Sequence, residues 1–163
     1  MIPPVLDAVV TVLNTHHPRA REANKRVVFA SRELSALERA EWLPVLRAWE
    51  AFSKELTHHM HEEEELMLDR VQLFAARKLL VPGALHASRG TFEELLGEHT
   101  SQRELARNVR EALAAISNHA EQALAVAVID AMDAFEAHVS FEDTTLRDAL
   151  APYLAVPFSE EKT

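Results

Sequence analysis

The stretch "THHMHEEEELML", Thr57 to Leu68, sets three histidines and four glutamates in twelve residues. Its flanks decide how it is read. Trp49, Phe52, Leu56, Met67 and Phe74 recur at helical spacing and mark one apolar face. At about 100° per residue, Glu63 lies within roughly 20° of that face and His59 within roughly 60°. His58, His61 and Glu65 lie more than about 120° away, on the solvent side. From a run that resembles a wet charge cluster, one pair at i and i+4 is left pointing inward, His59 and Glu63.

The construction recurs in "FEAHVSFEDTTL", where His138 and Glu142 again stand four apart. Judged against Val128, Met132, Phe135, Leu146 and Leu150, the glutamate is near the centre of the apolar face and the histidine toward its flank. Elsewhere, Phe92, His99, Ala106 and Leu113 form a seven-spaced row with a histidine in it, and His16 or His17 falls between Leu13 and Ala20. A lone helical histidine is more often a surface or satisfied-core residue than a ligand. Four inward imidazoles and two inward carboxylates at one phase are a different matter, because burying them without partners is costly. Divalent metal satisfies the whole set. Two carboxylates can bridge two ions, the imidazoles divide two per ion, and a solvent-derived oxo or hydroxo bridge brings each ion to about five ligands with one position open. The chain has no cysteine, so ligation is by nitrogen and oxygen. That donor set suits iron, with manganese or zinc as substitutes.

These segments sit in an all-α chain. Glycine is scarce, Ala, Leu, Glu and Arg dominate, and no alternating Val/Ile runs occur. Four amphipathic segments are expected, from about Val5 to Leu34 (with Leu6, Leu13, Ala20, Val27 and Leu34 inward and a kink or restart at Pro18), Trp42 to Lys78, Thr91 to Ile116, and Asn118 to near Pro152. Asn118 and Glu121 make a candidate capping box for the last. Short connections between long helices predict an up-down-up-down antiparallel four-helix bundle, one domain over residues 1–155 with a frayed tail at 156–163. A net charge of −9 argues against nucleic acid and anionic membrane surfaces as partners. No run reaches the ~20 apolar residues that span a bilayer, and "MIPPVLDAVV" lacks a signal-peptide pattern, so a cytoplasmic location is expected. A ferritin-like reading fails because the only E-x-x-H, Glu55/His58, points outward. A zincin reading fails because the fifth residue from His61 is Glu65.

With these residues in view the chain resembles the hemerythrin-like HHE cation-binding family, and within it most resembles the four-histidine branch that includes the repair-of-iron-centres proteins. The resemblance rests on "LTHHMHEEEELML", "LLGEHTSQREL" and "HVSFEDTTLRDAL". The family signature falls on His59 with Glu63 and Glu64 and on His138 with Glu142 and Asp143, while His99 matches the third-helix ligand. "HPRARE" matches the first-helix ligand at His17 rather than His16. The resemblance thus implies metal ligands His17, His59, Glu63, His99, His138 and Glu142 around two non-haem irons. Arg103 stands where oxygen-carrying hemerythrins have a fifth histidine. The four-histidine pattern is associated with nitric oxide, peroxide or iron donation more than with oxygen storage.

The expected function is a di-iron protein whose open position takes O2, NO or peroxide, in sensing, detoxification or iron supply and iron-centre repair. The alternatives are an interaction or regulatory bundle with a structural or sensory metal and an unidentified protein partner, and a metal-free bundle with fortuitous histidines. No inner-sphere general acid stands out, and Tyr153, the only tyrosine, is expected to pack.

Overall fold

Serine at position 35 illustrates how the sequence sets the helix boundaries. Its hydroxyl accepts a hydrogen bond from the Glu38 amide while the Glu38 carboxylate accepts one from the Ser35 amide. This capping box starts a helix at Ala36, six residues ahead of the Trp42 start expected from the apolar pattern. Pro44 lies inside that helix without ending it. Pro44 and Ala40 are both exposed, so water can reach the carbonyl that loses its donor.

The computed structural model describes residues 3–116 and 122–155. Among these, the elements are α1 (Pro4–Thr11), α2 (His17–Arg32), α3 (Ala36–Glu63), α4 (Asp69–Ala76), α5 (Arg89–Ala114), α6 (Ala123–Phe141) and α7 (Arg147–Leu154). A 3₁₀ turn at His86–Ser88 leads into α5. The proposed capping box at Asn118 and Glu121 and the tail after Ala155 lie outside the described residues. The helices run as four rods, formed by α1 with α2, α3 with α4, α5 alone, and α6 with α7. Neighbouring rods are antiparallel. Along α2 and α6, His17 stacks on His138 while Arg26 pairs with Asp130. Along α3 and α5, His59 meets Glu98, and beyond it on the α4 rod Arg70 meets Ser88. Along α5 and α6, Arg103 meets Asp143 and Arg110 meets Glu136. The four-helix bundle expected from the sequence is the one observed.

Three rods carry a wide turn with i→i−5 bonding, at Val12–His16, Glu64–Leu68 and Glu142–Leu146. In each the closing amide reaches back five residues, from His17 to Val12, Asp69 to Glu64 and Arg147 to Glu142. Such a turn holds one residue more than an α-turn, so the inward phase slips by one position across it. Counting back by sevens from Ala20 predicts Leu13 and Leu6 inward, but the fully buried residues are Val12 and Val5. The same slip places Val71 inside rather than Arg70, and Leu150 rather than Ala149. The expected restart at Pro18 takes this form: the register changes just ahead of the proline, whose missing amide hydrogen falls where α2 begins.

The apolar interior is divided. One cluster gathers Trp42, Trp49, Phe52, Met132 and Phe135 with Ala20, Ala23 and Val27. The other gathers Val5, Val9, Val12, Leu68, Val71, Phe92, Leu146 and Leu150. Tyr153 packs at the edge of the second, as expected. The residues between the two clusters are polar.

Candidate metal centre

The polar layer consists of His17 on α2, His59 and Glu63 on α3, His99 on α5, His138 on α6, and Glu142 at the start of the following wide turn. All six are buried. The wide turns adjoin His17, Glu63 and Glu142, which fits the tendency of such turns to occur at functional sites. His17, not His16, faces inward on the first rod. His16 is half-buried and lies against the Phe141 ring at 4.7 Å between centroids. His58 and His61 are exposed, as helical phase requires, and pair along the helix with Glu62 and Glu65.

Three of the four inward imidazoles are oriented by carboxylates behind them. His17 Nδ1 lies 2.6 Å from Glu64, His59 Nδ1 2.8 Å from Glu98, and His99 Nδ1 2.9 Å from Asp143. An ionised carboxylate only accepts, so in each pair Nδ1 carries the proton and donates it. Glu64 and Asp143 stay ionised. Burial works against this, but hydrogen bonds from His17 and Arg21 to Glu64, and from His99 and Arg103 to Asp143, hold both below the usual carboxylate range. With Nδ1 engaged from behind, each Nε2 faces the interior.

There the Nε2 atoms meet one another and the two inner glutamates. His59 Nε2 and His99 Nε2 are 3.2 Å apart, and Glu142 Oε2 is 3.2 Å from His99 Nε2 and 3.9 Å from His59 Nε2. Glu63 Oε2 stands 3.2 Å from His17 Nε2 and 3.8 Å from His59 Nε2. His138 Nδ1 is 3.0 Å from Glu142 Oε1, but the pair is not aligned for a hydrogen bond. Both nitrogens of His138 and both oxygens of Glu142 are buried without a hydrogen-bond partner.

The cost of this arrangement shows in its protonation. Burial, reinforced by the charge of Glu63, pushes Glu142 well above the ordinary carboxylate range. Burial and the neighbouring histidines hold His138 well below the usual imidazole value. His99 is lowered by burial, which outweighs the opposing pull of Asp143. A buried layer in which imidazole nitrogens and carboxylate oxygens crowd together, several of them unpartnered, is what a cation completes. Two nitrogens bound to one first-row cation at about 2.1 Å each stand roughly 3.0 Å apart at a right angle, close to the His59–His99 separation. Two groups of donor atoms lie within 4.8 Å of one another, His17 with Glu63, His138 and Glu142, and His59 with His99 and Glu142. Glu142 belongs to both, and Glu63 leans from the first toward the second.

Helical phase picks out inward side chains but not the residues that stand behind them: Glu64 is half-buried and bound to His17 and Arg21. Arg103 turns its guanidinium outward onto Asp143 at 2.6 Å. A signal was available, because Arg21 follows His17 by four residues and Arg103 follows His99 by four, which puts each arginine over the neighbouring helix's second carboxylate.

A family model described as "Hemerythrin HHE cation binding domain" matches residues 8–150. No curated protein and no solved structure matches the chain. No helix among the described residues is long and apolar enough to cross a membrane.

Proposed function

Since the chain belongs to the hemerythrin HHE cation-binding family, we propose that it is a non-haem di-iron protein whose irons take a small ligand, O2, NO or peroxide, in sensing, detoxification or iron supply. The observation that carries this reading is the convergence of six buried ligating side chains in one dry layer: His59, His99 and Glu142 bring ligand atoms within 4.8 Å of one another, and so do His17, Glu63, His138 and Glu142. In this reading His17 and His138 would hold one ion and His59 and His99 the other, with Glu63 and Glu142 as the carboxylate ligands. Iron there would supply Lewis-acid and one-electron chemistry toward the bound small ligand.

The protein's own residues do the rest. Glu64, Glu98 and Asp143 hold the ring orientations, so three Nε2 atoms are aimed into the layer before any ion arrives. The two apolar clusters keep water from competing for the inner carboxylates.

The test is metal analysis of the full chain after anaerobic Fe(II) loading. About two irons per chain, with a spectrum that responds to NO, supports the reading. Less than one equivalent of any transition metal would sink it.

A further inference from the structure

The polar layer has an approximate twofold repeat. Two helices carry H-x-x-x-R, His17/Arg21 on α2 and His99/Arg103 on α5. The other two carry H-x-x-x-E followed by a second acid, His59/Glu63/Glu64 and His138/Glu142/Asp143. The contacts repeat too. His17 binds Glu64 at 2.6 Å and His99 binds Asp143 at 2.9 Å. Arg21 and Arg103 grip those same carboxylates, each at 2.6 Å. His17 Nε2 to Glu63 and His99 Nε2 to Glu142 are both 3.2 Å.

The repeat breaks around His138, whose Nδ1 rather than Nε2 faces its glutamate. Behind His59 stands Glu98, the residue before His99, at 2.8 Å from Nδ1. The equivalent position behind His138 is the residue before His17, and it is His16, whose ring centroid lies 6.2 Å from that of His138. An imidazole in place of a carboxylate leaves His138 with no anionic acceptor, and neither of its nitrogens has a partner. One half of the layer therefore has both rings fixed from behind, and the other has only one.

We propose that the two half-sites bind divalent cations unequally. The His59/His99 half takes the first ion, the His17/His138 half takes the second more weakly, and Glu98 and His16 are the positioning residues that set the difference. This rests on the metal-binding reading above. A ligand's outer partner is worth about 10–100-fold in metal affinity, so the two steps should differ by at least about tenfold.

The experiment is titration of the metal-free full chain with Co(II), followed by visible absorption and chelator competition. Wild type should fill in two resolved steps. Glu98→Gln, at a half-exposed position, should weaken the first step by about 10–100-fold and leave the second unchanged. His16→Glu should supply the missing acceptor and draw the second step toward the first, with His16→Gln as the control that alters packing without adding an anion. Two equal sites in wild type, or an unchanged first step in Glu98→Gln, overturns the proposal while leaving metal binding intact. Failure of wild type to take up any Co(II) instead removes the reading beneath it.

Discussion

Glu142 gives the sharpest test of whether the polar layer is built for a cation rather than for stability. In the metal-free protein both its oxygens are buried and unpartnered. A buried polar atom left unsatisfied costs about 1–3 kcal/mol, so replacing the carboxylate with an unbranched apolar side chain should relieve about 2–4 kcal/mol. Glu142→Met keeps the length and most of the volume. For a chain of this size about 1 kcal/mol moves Tm by roughly 2–4 °C, so the metal-free variant should melt about 5–15 °C above metal-free wild type at pH 7. The sign with pH follows from the raised pKa. Below the ordinary value of 4.5 Glu142 is protonated in both folded and unfolded states and costs little. As pH rises through the raised folded value, the unfolded chain ionises first and wild type loses stability. The gap between variant and wild type should therefore widen from pH 4 to pH 8. With metal present the order should reverse, because the variant lacks the shared carboxylate. Differential scanning calorimetry on chelator-treated and metal-loaded samples measures all four values. A metal-free variant that melts below metal-free wild type at pH 7 would show that Glu142 is stabilising on its own account and would refute the argument.

Among the histidines, His59→Ala and His138→Ala should abolish stoichiometric metal uptake while His58→Ala and His61→Ala, at exposed positions, leave it within about twofold; equilibrium dialysis decides, and the opposite pattern would overturn the helical-phase reading. Ser35→Ala removes half of a capping box and should cost about 1 kcal/mol, a fall of roughly 2–4 °C in Tm, with no change in metal content. Deleting Thr145 from the wide turn at Glu142–Leu146 should convert it to an α-turn and keep Leu150 inward, whereas deleting Arg107 from α5 rotates all that follows by about 100°. Thermal melts should show the first deletion milder than the second, and equal losses would contradict the register account.

The bundle and its inner layer were legible because both depend on phase. Trp49, Phe52 and Leu56 define a direction on α3, and Glu63 shares it, so burial of that carboxylate could be read without any contact information. The slips of phase were not legible. Nothing in the local composition of Val12–His16 distinguishes a wide turn from an α-turn, and the choice is made by the neighbouring helices, which need Val5 and Val12 rather than Leu6 and Leu13. The start of α3 is set by the Ser35 and Glu38 capping box and lies six residues ahead of the apolar pattern's first residue, Trp42. Glu64, Glu98 and Asp143 escaped for a third reason. Each lies at the edge of its helix's wet side, and only the approach of a histidine from an adjacent rod distinguishes it from ordinary surface acids.

The separation of the two apolar clusters bears on how the molecule comes apart. A continuous core melts as one unit, whereas here the cluster around Trp42 and Phe135 and the cluster around Leu68 and Leu150 touch only across a layer that, without a cation, repels itself. Cooperativity between the two ends is then carried chiefly by backbone continuity along the rods. A pair of ions held between them by histidines from all four rods would tie the ends together, so metal status would be felt as far away as α1 and α7. Amide exchange in those end helices is accordingly a remote gauge of occupancy, rapid in the metal-free chain and slow once the layer is filled.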